Sequence, residues 1–142
     1  MKNLLIRKLA LILLYGTALA TGAGEVSVAD PRFSEIQNTT ILPYYEAMQK
    51  GEVGSLRDYL SDRRYAANRT LIEQNATYPD YLRRQFRGAA FHVLRITEDN
   101  NQLTALVKIY WPDGRESQTP LVLIEDVSTL PSNSIRWRID RD

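Results

Sequence analysis

The stretch YYEAMQKGEVGSLRDYLSD, residues 44–62, sets the frame for everything around it. Tyr44, Tyr45 and Met48 fall at the spacing of one helix face, and Lys50-Gly51 breaks the pattern. Glycine closes helices because it takes the left-handed backbone without steric penalty. Val53, Leu56, Tyr59 and Leu60 then form a second, shorter apolar face, which stops at Ser61-Asp62. The stretch therefore predicts a bent helix pair whose two apolar faces need a common surface to cover.

Working outward toward the N-terminus, Asp30-Pro31 is a good helix start, a capping carboxylate followed by proline at the first helical position. Phe33, Ile36 and Ile41 continue at roughly helical spacing, and Pro43, lacking a donor, should kink or restart the helix near Thr40. Toward the C-terminus, SDRRYAANR (61–69) is polar and reads as a loop or a short edge strand. TLIE (70–73) has the capping-box pattern and TYPD (77–80) offers a second start. A third helical region, broken near Pro79, should run to Phe86 and end at Gly88.

The hydrophobic period then changes from about 3.6 to 2. FHVLRIT (91–97) is strand-like and EDNNQ (98–102) is a turn. In LTALVKIYW (103–111), Leu103, Ala105, Val107, Ile109 and Trp111 share one face. PDG (112–114) is a hairpin turn, and Pro120 marks the next strand as an edge or a bulge. After LPSNS (130–134), IRWRID (135–140) points Ile135, Trp137 and Ile139 inward and Arg136, Arg138 and Asp140 outward. Helices first and an antiparallel meander of about four strands last give an α+β class with N-terminal helices.

The first twenty residues form a separate unit. Lys2, Arg7 and Lys8 precede an apolar, uncharged run, and small residues stand at Ala18 and Ala20. This is the pattern of a cleaved bacterial secretory signal, with cleavage after Ala20 or, alternatively, after Ala23. The uncharged run from Leu9 to Gly24 is about 16 residues, short of the roughly 20 that span a bilayer. Residues 21–30 read as a flexible arm and 31–142 as one α+β domain, exported to the periplasm or secreted, with no stable membrane anchor once the signal is gone. The 142 residues hold no cysteine, which excludes a lipid anchor at a signal-proximal cysteine, disulfides and any cysteine metal site. Removing residues 1–20 takes three of the 18 basic residues and leaves 15 against 17 acidic ones. Nothing in that balance points to nucleic acid.

The order Tyr, Ala, Gly-acid, Leu in YYEAMQKGEVGSLRDYL resembles the first two helices of the nuclear transport factor 2-like superfamily, which includes ketosteroid isomerase and many secreted bacterial proteins of unknown role. The later order, with a third helix and then a sheet ending in WRID, is similar as well, so the resemblance covers roughly Phe33 to Asp140. It implies a cone in which helices close over the concave face of the sheet, and a second helix that folds back across the open end after Gly51. It also implies that Tyr44 matches the isomerases' oxyanion-binding tyrosine. Counted without a gap, their general-base aspartate falls on Asn68, and an amide has no useful basicity near neutral pH. In related hydratases and dehydratases a histidine works with an aspartate; the sole histidine, His92, has no aspartate near it in sequence.

These residues leave three functional classes open, because fold does not fix function. The first is a non-enzymatic module that binds a small apolar ligand or a protein partner, with Tyr44, Tyr59, His92 and Trp111 as pocket residues. The second is a small-molecule enzyme of isomerase or dehydratase type, working in a pocket under the helices. The third is an assembly subunit of an envelope complex, with a homodimer through the sheet as one form. Arg83, Arg84, Arg87, Arg136 and Arg138 are anion-binding candidates, since guanidinium forks grip phosphate and carboxylate, or else they lie on solvated faces. One histidine and scattered carboxylates make no metal site, and no cofactor is implied.

Overall fold

The computed structural model of the chain describes residues 24–126 and 137–142. The proposed signal and its cleavage positions lie outside the described residues, as do Ile135 and Arg136. The fold is α+β, a run of helices followed by a five-stranded antiparallel sheet in the order β1-β2-β3-β4-β5.

The fifth strand, beyond the four expected, comes from the segment read as an arm. Gly24–Val26 forms β1 and pairs with β2, Val26 facing Ile96. Val26 is buried, and Arg32 ties the segment down by bridging Asp30 and Glu98 at 3.2 and 3.0 Å. Three residues with one buried side chain carry too little pattern to read as a strand.

Helix α1 (Pro31–Ile36) starts as expected, with Asp30 accepting from the Arg32 amide at 2.9 Å. The break at Pro43 is resolved without a kink into coil. Residues Gln37–Ile41 form a π-helical turn, and α2 (Leu42–Lys50) follows directly with the proline inside its first turn. The wider turn lets the ring fit where an α-helical amide would be missing. Gly51 then ends α2 at φ +68°, its amide bonded to Met48 O at 3.1 Å.

A short 3₁₀ turn, Val53–Ser55, leads into α3 (Leu56–Tyr59). The next element differs from the expected loop or edge strand. Asp62–Gln74 is a 13-residue helix, α4, and the TLIE tetrapeptide lies inside it instead of starting it. Ser61 is the true cap, its hydroxyl accepting from the Arg64 amide at 3.1 Å. Alanine, arginine and glutamate are good helix formers, yet only Ile72 of this helix is buried, so no apolar stripe announces it. Helix α5 (Tyr78–Gln85) begins at the TYPD start, and Gly88 turns the chain at φ +67°.

Strands β2 (Ala90–Asp99), β3 (Gln102–Tyr110), β4 (Glu116–Glu125) and β5 (Trp137–Arg141) form the meander. Asn100 and Asn101, both at positive φ, make the first hairpin turn, and Gly114 at +86° makes the second. On β3, Leu103, Ala105, Val107 and Ile109 all point into the core, as the alternation predicts. Trp111, just past the strand, is half-buried at the core's margin. Pro120 pairs with Leu106 on one side, while β5 pairs with β4 only from Val122 onward, so among the described residues no strand pairs with the proline's other side. Trp137 and Ile139 are buried, but Asp140, expected to face outward, is buried too. The chain entering α4 covers it. Leu60 bridges to Ile139 along the edge of β5, Ser61 Oγ donates to Asp140 Oδ1 at 2.7 Å, and Arg63 forms an ion pair with the same carboxylate.

Candidate functional site

The site follows from where the three longer helices are anchored. Helix α5 runs against the end of α2, where a Cβ on Gly51 would stand 2.7 Å from Pro79 O. Arg83 of α5 donates to Lys50 O at 3.2 Å and pairs with Asp80, so it caps α2. The start of α4 is held to β5 through Ser61, Arg63 and Asp140. With α2 and α5 joined at one end and α4 pinned elsewhere, a cleft of about 280 Å³ remains between them.

Tyr44, Met48, Leu56, Leu60, Ile72 and Tyr78 give this cleft its apolar walls. Arg64, Asn68, Gln85 and Asp142 supply its polar groups. A second hollow of about 260 Å³ is lined by Tyr45, Ile109 and Trp111 and shares Tyr44, Met48, Gln85, Phe86 and Asp142 with the first. The shared walls make the two hollows lobes of one cleft. Their size lies at the lower end of the roughly 300–1,000 Å³ of small-molecule pockets.

An aromatic wall stiffens the cleft. Tyr45 stacks on Phe91 with centroids 4.3 Å apart, Tyr44 meets Tyr45 edge-on at 5.4 Å, and Phe86 stacks on Trp111 at 5.9 Å. Asp142 reaches into this surface and is held by an ion pair with Arg64. Burial, and after it the Asp142 carboxylate, pushes the Tyr44 and Tyr45 phenols well above the ordinary tyrosine value, so both stay protonated at neutral pH. Tyr44 and Tyr78 line the cleft, and neither hydroxyl has a hydrogen-bond partner among the described residues. Such groups are donors and acceptors available to a bound molecule.

Outside the cleft lies an open groove of about 650 Å³ lined by Tyr81, Arg84, Gln85, Trp111, Arg115 and Ser117. It shares Tyr81 and Gln85 with the first lobe and Gln85, Trp111 and Ser117 with the second.

The residues singled out in the sequence are placed as follows. Tyr44 and Trp111 line the cleft, and Asn68 lies in the same lobe as Tyr44. Tyr59 is half-buried on α3 and packs against the core, not among the cleft's lining residues. His92 is exposed, paired in register with Lys108, and also lies off the cleft. The four described arginines of the five have different surroundings. Arg83 caps α2, and Arg138 clasps β5 to α3 by donating to Asp58 O at 2.7 Å and to Asp126 at 2.6 Å. Arg87 is exposed, Arg84 lines the groove, and Arg136 lies outside the described residues. Among the described residues no three His, Asp or Glu side chains converge to hold a metal ion.

Arg64, Tyr78, Gln85 and Asp142 were not legible as site residues. Arg64 stood in a segment read as loop, and Asp142 follows the last patterned strand. Periodicity finds core faces, and these four residues stand at the margins of such faces. Comparison with protein-family models, with curated proteins and with solved structures finds no match to this chain.

Proposed function

We propose that this protein is a non-enzymatic binding module for a small, largely apolar ligand, held in the cleft between α2, α4 and α5. The observation that carries the reading is the cleft's composition. Aliphatic and aromatic walls surround a few convergent polar groups, and the wall residues Tyr44 and Tyr78 add two hydroxyls with no protein partner among the described residues. That is the usual make-up of a ligand site. We read the fold as a nuclear transport factor 2-like cone, supported by the order of helices before a meander sheet. We read the location as periplasmic or secreted, supported by the charged, apolar and small-residue order of residues 1–20.

The test uses the uncharged fluorophore N-phenyl-1-naphthylamine, whose emission rises in apolar surroundings. The expected result is saturable one-to-one binding, lost when Ile72→Trp fills the cleft in a variant that still unfolds cooperatively. No saturable binding by the folded protein overturns the reading.

An enzyme of isomerase or dehydratase type is the second reading, favoured by one observation, the Asp142 carboxylate beside Tyr44 in one lobe. A carboxylate and a neutral phenol can serve as base and oxyanion donor. The Arg64 ion pair argues against it, because the carboxylate is already engaged by the guanidinium and not free toward a substrate. Turnover of an enolisable ketone that disappears in Asp142→Asn would establish it. The outer sheet face, where Tyr110 stands exposed, supports a protein partner or a homodimer, which light scattering would detect.

A further inference from the structure

We infer that the ligand is an anionic amphiphile, an apolar body with one anionic group, whose charged end sits in the outer groove between Arg84 and Arg115. The inference rests on the cleft being a ligand site and adds the ligand's charge and its orientation. Three observations carry it.

The first is continuity. Gln85 lines the groove and both lobes, Trp111 and Ser117 line the groove and one lobe, and Tyr81 lines the groove and the other. The groove therefore adjoins both lobes and is placed to serve as the mouth for a molecule in the cleft.

The second is charge. The groove's six lining residues include two arginines and no carboxylate. Arg84 makes no ion pair or hydrogen bond among the described residues. Arg115 is engaged by Asp113 through its Nε at 2.6 Å, which leaves its terminal nitrogens to a ligand. The inner lobes hold the opposite arrangement. Asp142 lines both, and the one arginine there, Arg64, is already occupied by it. An anion is thus disfavoured inside and favoured at the mouth, which fixes which end of an amphiphile enters first.

The third is the surface beside the arginines. Trp111 is stacked on Phe86 and fixed by its indole N–H donating to Ser117 Oγ at 3.0 Å. Tyr81 stacks on Tyr78 with rings 15° apart and is itself exposed. These rings give the apolar body a continuous path from mouth to lobe. The lobes, at about 280 and 260 Å³, are too small for a two-chain lipid. The body is one acyl chain or a pair of rings.

Two fluorophores with the same ring system separate this inference from the reading beneath it. N-phenyl-1-naphthylamine is uncharged, and 1-anilinonaphthalene-8-sulfonate adds one sulfonate. We expect the sulfonate to bind about 10-fold more tightly at low salt, the scale of one charge-assisted hydrogen bond. The advantage should shrink as salt rises. The double variant Arg84→Gln/Arg115→Gln should remove it while leaving the neutral probe unchanged. Arg87→Gln, an exposed cation outside the groove, should leave both probes unchanged. Equal binding of the two probes overturns the anionic inference and leaves the cleft as a ligand site. Failure of both probes overturns the cleft itself. Sedimentation with phosphatidylglycerol vesicles that depends on Arg84 and Arg115, without any preference for the free sulfonate, overturns the small-molecule assignment in favour of a lipid surface.

Discussion

The sheet and helix α4 are held by different forces. From β2 to β5 the inward side chains form a continuous apolar layer, with Ile96, Leu103, Val107, Leu123 and Ile139 nearly inaccessible to solvent. Helix α4 is longer than any strand, yet it buries one large side chain, Ile72. Its position comes from polar contacts near its first turn, where Ser61, Arg63 and Arg64 meet Asp140 and Asp142. Apolar burial is spread over many residues and tolerates the loss of none of its large members. A polar clasp is local, sensitive to pH, and weak where solvent reaches it. The cleft lies where the two regimes meet, with one wall from the core and the other from the clasped helix.

The largest expected effect tests the apolar side. Trp137 is 4% exposed and Ile139 fully buried on the strand that carries the clasp. Trp137→Ala should destabilise the fold by about 3–5 kcal/mol in urea unfolding. A loss below about 1 kcal/mol would mean that the sheet is not the dominant store of stability, and the comparison would fail.

A second substitution probes the joint between α2 and α5. Gly51 holds φ +68°, and a Cβ there would press on Pro79 O. Gly51→Ala should cost about 2–3 kcal/mol, combining left-handed strain with a displaced neighbour. Gly54 has open space around it and no positive φ, so Gly54→Ala is the neutral control. If the two variants proved equally stable, α5 would not be braced against α2, and the cleft would lose its closed end.

The clasp should give a smaller, pH-dependent effect. Arg63, and after it the Ser61 hydroxyl, hold the Asp140 carboxyl below the usual carboxylate range against the opposing effect of burial. A depressed folded value means that the stabilisation is present above the unfolded pKa, about 3.9, and is lost as pH falls through the folded one. Asp140→Asn should therefore cost about 1 kcal/mol at pH 7, discounted because the Arg63 guanidinium is largely exposed. Its difference from wild type should shrink as pH falls below about 3.9 and through the folded value. A difference that persists in acid would show that Asp140 acts by packing instead of charge.

The same division explains what could be read from the sequence. Alternation at Leu103, Ala105, Val107 and Ile109 is legible because one buried face imposes one period. The stops at Gly51 and Gly88 are legible because only glycine takes those backbone angles cheaply. Helix α4 was hidden because its partners are single polar atoms supplied by residues about 77 positions away, as between Arg63 and Asp140. Such pairings leave no local periodicity. Tyr44 enters through the resemblance and Trp111 through strand alternation, whereas Arg64 and Asp142 reach the cleft only because α4 lies against β5.

The smallest expected effect falls on the cleft itself. Tyr44 is 7% exposed, and its hydroxyl has no partner among the described residues. Removing a polar atom that makes no protein hydrogen bond and is not sealed from solvent sacrifices little. Tyr44→Phe should change stability by less than about 0.5 kcal/mol at pH 7. The alkaline branch is where the variant should differ. Burial raises the Tyr44 and Tyr45 phenols above the unfolded value near 10, so the folded state keeps protons that the unfolded chain releases. Stability is complete below pH 10 and falls as pH rises toward the folded values, by about 1.4 kcal/mol per pH unit for each such tyrosine. Tyr44→Phe should remove one tyrosine's share of that slope, and Tyr45, with the also raised Tyr59, Tyr65 and Tyr78, should supply what remains. Urea unfolding from pH 9 to 11.5 measures it. Parallel declines in wild type and variant would show that the hydroxyl is solvated in the folded protein, and the cleft would then be open water instead of a dry wall awaiting an apolar ligand.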